Sequence, residues 1–199
     1  LLCVIAGKAQ HMLRPESNPF DKKWLQNGKT EMGYYVVDGS SQVEICSFTM
    51  DVKSDDKTFA VYTTLQFLNS DEKWMDTSIA EAKTFTPVYR SCYHKDKEYV
   101  IKYGKVVSGY YIDRKNQKKS VIKEPVKETF FDSYTYPYLL SLLPLDAGYK
   151  TDLMLYDYQA TNNSNITRAR LEEERRNVHV SSLTGKQEVW QVSVLEEAT

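Results

Sequence analysis

Phe130-Phe-Asp-Ser-Tyr-Thr-Tyr-Pro-Tyr-Leu-Leu-Ser-Leu-Leu-Pro-Leu-Asp-Ala-Gly-Tyr149 is the one strongly apolar segment with helix punctuation in a sequence that otherwise reads as strands. Asp132 or Ser133 can cap a helix start by accepting a backbone N–H. Pro137 is tolerated in a first turn, where its missing donor costs little. Tyr138, Leu139, Leu140, Leu142 and Leu143 then occupy nearly every side of about three turns. Pro144 stops the helix, since it removes a donor and clashes with the preceding turn. A helix that is apolar nearly all round must be buried. The segment 130–143 therefore predicts a plug packed into the hollow of a curved sheet.

Outward from the plug the periodicity changes to two. Before it, Glu31–Val37, Gln42–Lys53, Thr58–Asn69, Trp74–Ile79, Thr84–His94, Tyr99–Tyr103, Val106–Asp113 and Ser120–Lys123 read as strands, with Asp38-Gly39 a hairpin signal. Pro87 requires an edge or a bulge, because it cannot donate to a ladder. Strands this numerous, with one polar and one apolar face, predict a large antiparallel sheet that curls around its cover. After the plug, Tyr149–Tyr158 is a further strand and Asn162–Asn165 a loop. Arg168–Arg176 is helical by propensity. Only Ala169 and Leu171 could face a core there, so an extended, charged strand running into Val178–Leu183 is the preferred reading. Thr184-Gly185-Lys186 turns the chain into Glu188–Leu195, with Trp190, Val192 and Val194 on one face. The expected fold is mainly β with one central helix: a curved antiparallel half-barrel wrapped around an apolar helix. Residues 30–199 form that single domain, preceded by an irregular segment at 10–29. A sheet that ends on an unpaired apolar strand invites misassociation, so at least one more hairpin is expected beyond residue 199.

The 199 residues carry 26 basic and 27 acidic side chains, a net charge of −1. That balance lacks the basic footprint of a nucleic-acid binder. The 15 tyrosines suit strands and half-wet sheet faces. Leu1–Ala6 is apolar, and Gly7-Lys8-Ala9 places small residues around a cut before Gln10. Residues 1–9 are read as the remnant of a secretory signal peptide, with an N-terminal strand as the other reading. A lipid anchor at Cys3 is disfavoured by the large Leu2 before it. No later run approaches the roughly 20 apolar residues of a spanning helix, so the chain is not expected to be an integral membrane protein. Cys46 and Cys92 read as buried thiols; a disulfide is allowed in an exported protein and the sequence does not decide it.

Catalytic chemistry leaves no signature. His11, His94 and His179 lack a nucleophile elbow or a triad motif, and they read as surface or half-buried sheet residues. Cys92 and His94 share a strand face at i, i+2, which suits two zinc ligands, but a third and fourth are not visible and no metal site or cofactor is assigned. Asp51, Asp55 and Asp56 lack calcium-loop spacing and read as turn formers. Lys115, Lys118, Lys119, Lys123 and Lys127 form a basic stripe, read as a solvated face with contact to anionic headgroups as the alternative. Asn162 and Asn165 begin glycosylation triplets, which arise often by chance in such loops.

Phe131-Asp132-Ser133, Tyr136-Pro137-Tyr138-Leu139-Leu140, Leu143-Pro144-Leu145 and Gly148-Tyr149 form a pattern with Met32-Gly33-Tyr34, Pro87-Val88-Tyr89, Val107-Ser108-Gly109-Tyr110 and Gly185-Lys186-Gln187-Glu188-Val189-Trp190. The pattern resembles a family of exported bacterial proteins of unknown function, the DUF group numbered 3108, over about Asn27 to Val194. The resemblance implies an antiparallel half-barrel wrapped on a helix, similar to the LolA and LolB lipoprotein carriers, and an exported protein, periplasmic or associated with the outer membrane. It supplies no catalytic residues. The expectation is a non-enzymatic cell-envelope protein that holds a lipid or other apolar small molecule. The expected lining is Phe48, Met50, Phe59, Val61, Leu65, Leu139, Leu143, Trp190 and Val192. The alternative is an assembly module that holds another envelope protein by a sheet edge or a Tyr-rich face.

Overall fold

The structure, a computed structural model, describes residues 11–68, 70–145, 149–161, 165–181 and 185–198. The expected signal remnant, the Asp146-Ala147-Gly148 turn, the Asn162-Asn163-Ser164 triplet and Thr184 of the last hairpin turn lie outside the described residues. The elements are β1 (His11–Leu13), a short 3-10 turn at Lys22–Trp24, β2 (Gly28–Asp38), β3 (Ser41–Ser54), β4 (Thr58–Phe67), β5 (Lys73–Glu81), β6 (Pro87–Tyr93), β7 (Lys97–Lys102), β8 (Val106–Asp113), β9 (Lys118–Pro125), β10 (Phe131–Asp132), α1 (Tyr136–Leu140), β11 (Thr151–Tyr156), β12 (Ile166–Ser181) and β13 (Gly185–Ala198).

Short turns and period-two alternation make β2 to β9 a continuous antiparallel meander of eight strands. Residues directly opposite each other share a face, so the register defines rows across the sheet. One row is Val52–Val61–Ser78–Arg90–Ile101–Gly109–Ile122. The next is Thr30–Met50–Thr63–Asp76–Cys92–Tyr99–Tyr111. Both belong to the covered face: Val52, Val61, Ser78, Arg90, Cys92, Tyr99, Ile101 and Ile122 are all buried. Pro87 pairs with Ala80 and Tyr89 with Ile79, so Val88 is the extra residue of a bulge, as the missing proline donor demands.

A second, five-stranded sheet supplies much of the cover. β11 pairs antiparallel with β12, and β12 with β13; β1 and β10 both lie parallel to β11, against residues 151–153 and 155–156. The charged run at the start of β12 is extended, as its pattern predicts. Ala169 and Leu171 point into the core, while Arg168 and Arg170 pair with Asp152 on β11. Leu153, Leu155, Ala169 and Leu171 meet Met50, Val52, Phe59 and Val61 of the large sheet in one apolar cluster.

The plug is shorter than its pattern predicts. Helix α1 has five residues, and the approximately three-turn helix expected over 130–143 is not formed. Phe131-Asp132 is strand, because its backbone pairs with Leu155 and Tyr156. Asp132 Oδ1 accepts the Tyr134 N–H at 2.8 Å, a turn rather than a helix cap, and Thr135 takes the N-cap position. Leu142 and Leu143 follow in turns, yet Leu139, Leu142 and Leu143 are buried in the same cluster as the two sheets. Burial of the leucines is thus as expected; the helix around them is not. The 10–29 segment is stitched into this core as well: Leu13 is buried, Phe20 packs edge-on against Phe85 and Phe131, and Asp21 N–H donates to the Leu142 carbonyl at 2.8 Å.

Gly109 sits where β7 and β8 approach most closely. A Cβ placed there would lie 1.9 Å from the Val100 carbonyl oxygen, whereas one at Gly104 would lie 3.7 Å from its nearest neighbour. Gly109→Ala is expected to lower stability by about 1–3 kcal/mol through forced backbone displacement. Gly104→Ala should change it by no more than about 0.5 kcal/mol. Urea midpoints of the two variants check this, and equal midpoints would refute the close approach.

Candidate functional site

The segment Ser133–Ser141 does not close fully onto the large sheet. An open apolar groove of about 460 Å³ lies between them. Its sheet side is a checkerboard of Thr30, Met32 and Tyr34 on β2, Phe48 and Met50 on β3, and Thr63 and Leu65 on β4. These are alternate residues, so they share one face, and the pairs Met32–Phe48, Phe48–Leu65, Thr30–Met50 and Met50–Thr63 are in direct register. Tyr134, Pro137 and Tyr138 form the opposite wall. The volume is within the ~300–1,000 Å³ of ordinary small-molecule pockets.

Of the nine lining residues expected from sequence, Phe48, Met50 and Leu65 line this groove. Phe59, Val61, Leu139 and Leu143 are instead consumed by the core. Val192 is partly buried against that core. Trp190 lies elsewhere, on the solvent-exposed part of the β12–β13 ribbon, with the Arg176 guanidinium 5.2 Å from its ring centre. Sequence reasoning missed Met32, Tyr34 and Tyr138. The alternation of β2 already offers Met32 and Tyr34 as neighbours of one face, but pairing with Phe48 is a matter of register.

Across β5 and β6 the same sheet face becomes polar. Asp76, Ser78, Arg90 and His94 are buried, and each bears a side-chain atom with no hydrogen-bond partner: Asp76 Oδ1, Ser78 Oγ, Arg90 Nε and His94 Nδ1. Among the described residues one other buried atom, Arg168 Nε, shares that condition. Orphaned polar atoms are costly to bury, so four on one stripe mark a place where structure is not optimised for stability alone.

Arg90 is the anchor of this stripe. Its Nη1 donates to Ser133 Oγ at 2.9 Å and lies 3.8 Å from Asp132 and 3.5 Å from Asp157. Ser133 Oγ donates in turn to Asp157 at 2.8 Å, and the Tyr103 hydroxyl donates to Asp132. The guanidinium is stacked 3.8 Å from the Tyr134 ring centre, with the Tyr99 ring on its other contact at 5.3 Å. Burial is the largest influence and opposes the arginine charge; the Asp132 carboxylate together with Tyr99, Tyr103 and Tyr134 outweighs it, so the guanidinium is held ionised more firmly than usual. Next to it is a polar cavity of about 320 Å³, bordered by Lys97, Tyr99, Tyr111, Asp157 and Tyr158. Tyr134 borders both this cavity and the apolar groove.

Asp76, Cys92 and His94 converge one row away. Asp76 and Cys92 are register partners on β5 and β6, and His94 Nε2 lies 3.2 Å from Asp76 Oδ2. His94 is therefore a buried residue, not the surface or half-buried one its position suggests. Trp74 stacks on its ring at 4.1 Å and 11°. Burial, followed by the Asp76 carboxylate, pushes the Cys92 thiol up to about 12, so it is not a thiolate at neutral pH. Cys46 and Cys92 are both free and buried. Along the expected basic stripe, Lys115 pairs with Asp96 at 2.8 Å and Lys119 rests over the Tyr110 ring, a solvated face with local partners.

A family model described as Protein of unknown function (DUF3108) matches residues 32–199. No curated protein and no solved structure matches the chain.

The Arg90 anchor gives a test of the architecture. Removing one partner of a buried ion pair leaves the other charge uncompensated, so Asp132→Ala is expected to cost about 3–5 kcal/mol. Ser133→Ala, which removes a hydrogen bond to a charged group, should cost about 1.5–3 kcal/mol. Denaturant titrations of both variants measure this. A loss below about 1 kcal/mol for Asp132→Ala would show that Arg90 does not depend on that carboxylate.

Proposed function

The chain belongs to the DUF3108 family of proteins of unknown function, and from that premise we propose that it is a non-enzymatic binding protein that holds the apolar part of a lipid or similar small molecule. The observation that carries this reading is the groove itself. Met32, Phe48, Met50 and Leu65 form a partly open apolar floor under Tyr134, Pro137 and Tyr138, and water gains little by filling such a surface. Binding would remove that surface from water, at about 25 cal/mol for each Å² covered. The likeness to the LolA and LolB lipoprotein carriers that the sequence motifs imply belongs to this proposal, and the curved antiparallel sheet with its apolar groove supports the reading. An exported, envelope location belongs to the same proposal.

A second reading rests on a separate observation. The outer part of the β2–β3 ribbon is exposed on both faces, with the register pair Val36 and Val43 on one and Tyr35 and Val37 on the other. Such exposed apolar surface suits an envelope protein partner, which would make the chain an assembly module.

Two measurements separate these readings. The first is mass spectrometry of an organic extract of the purified protein, followed by titration of the delipidated protein with a fluorescent polyene fatty acid. Leu65→Arg and Met32→Arg are expected to weaken binding of the fatty acid at least tenfold, because a charge in an apolar groove is costly. Val37→Glu with Val43→Glu should leave it unchanged. No binding by the wild-type protein, or equal binding by the groove variants, would overturn the carrier reading. If only the ribbon variants change the sedimentation behaviour of the protein in membrane extracts, the assembly reading holds instead.

A further inference from the structure

We propose that Asp76, Cys92 and His94 are three ligands of a zinc-class divalent metal site that ties β5 to β6. One ligand atom from each residue lies within 4.8 Å of the other two, and all three side chains are buried. Two of them come from adjacent positions of one strand face, Cys92 and the residue two further on, His94. The third comes from the neighbouring strand, where antiparallel register sets Asp76 directly opposite Cys92. This mixture of carboxylate, thiol and imidazole suits a borderline cation better than magnesium or calcium, which prefer oxygen alone.

Distances support the assignment. Donors placed tetrahedrally at 2.0–2.3 Å from zinc are about 3.2–3.8 Å apart. The His94 Nε2 to Asp76 Oδ2 separation of 3.2 Å already fits. The two separations that involve the thiol sulfur, each within 4.8 Å, need contraction by up to about 1.3 Å to reach the tetrahedral spacing of about 3.5 Å.

The surroundings provide the independent argument. A hydrogen bond between His94 and Asp76 satisfies one atom of each and leaves Asp76 Oδ1 and His94 Nδ1 bare in the interior. A buried carboxylate with an orphaned oxygen is expensive, and a cation held through both oxygens of Asp76 would remove that expense, while His94 Nδ1 stays unpartnered with the metal at Nε2. Trp74 stacks flat on His94 and is itself gripped edge-on by Phe67 at 4.6 Å. That packing fixes the imidazole plane. Three protein ligands leave one coordination position for water or a small donor.

The site is independent of the groove's occupant, so its test does not depend on the carrier reading. The full chain is stripped with chelator, then titrated with cobalt(II) and, separately, zinc(II). Cobalt is expected to bind at one equivalent and to give the near-ultraviolet sulfur-to-metal band of a thiolate ligand. Cys92→Ser should abolish that band. His94→Gln and Asp76→Asn should each weaken binding at least tenfold. Zinc at a hundredfold excess over its Kd should raise the wild-type Tm by about 5–10 °C. Absence of the sulfur band in the wild-type protein overturns the proposal, whatever the variants do. Equal affinity of wild-type, Cys92→Ser and His94→Gln proteins overturns it equally, since the metal would then be held elsewhere.

Discussion

A guanidinium removed from water needs partners for its charge, and the partners given to Arg90 organise this protein. Its charge lies on the covered face of the large sheet, 1% exposed, and its partners come from the chain that crosses over that face. Asp132, Ser133 and Tyr134 are consecutive, and each uses a different interaction: ion pair, hydrogen bond and ring stacking. The requirement is geometric as well as electrostatic. It fixes where residues 131–134 run, and hence where β10 meets β11, where α1 begins, and how far the following leucines reach into the core.

That constraint also explains the division of the sheet face into two regions. On β2–β4 the rows are Met, Phe, Leu and Thr, which can pack or hold an apolar guest. On β5–β6 they are Asp, Ser, Arg, Cys and His, which can only be buried if something pairs with them. Tyr134 stands at the border, one ring touching the guanidinium while the residue borders both the apolar groove and the polar cavity. The groove persists beside the anchor because Ser133 and Tyr134 are tied to Arg90 and Asp157, which holds the crossing segment over the polar rows while Pro137 and Ser141 remain exposed at the groove's rim.

Particular residues show why some of this was legible in advance. Phe48 and Met50 alternate with Ser47, Thr49 and Asp51, and period two in a sheet has one physical reading. Pro87 requires an edge or a bulge because it lacks a donor, and the pairing of β5 with β6 shows the bulge. The leucines after Pro137 were correctly assigned to the interior, but apolar residues on every side of a notional helix describe burial, not helicity. Asp132 and Ser133 have side chains that can cap a helix; in the structure Asp132 Oδ1 does take a local N–H, from Tyr134, but Asp132 Oδ2 and Ser133 Oγ are engaged with Tyr103, Arg90 and Asp157, partners 24 to 43 residues distant. Division of the apolar set between groove and core was likewise invisible. Phe59 and Phe48 are equivalent in pattern, and only the second sheet's approach decides which one is covered completely.

The third member of the Asp76–Cys92–His94 cluster shows the same boundary sharply, since two partners were visible as i, i+2 and the third waited on the pairing of β5 with β6. By itself the sequence determined the strands of the meander and of the β11–β13 run, the edge or bulge that Pro87 requires, and the burial of Leu139, Leu142 and Leu143, because each follows from local sterics or from the transfer of side chains out of water; β1 and β10, in stretches that read as irregular and as helix, it did not. Tertiary structure alone decided the splitting into two sheets, the length of α1, the shape of the groove and the meeting of charged and metal-ligating side chains on the covered face. Those depend on register and on contacts between segments far apart in the chain, and no local period encodes either.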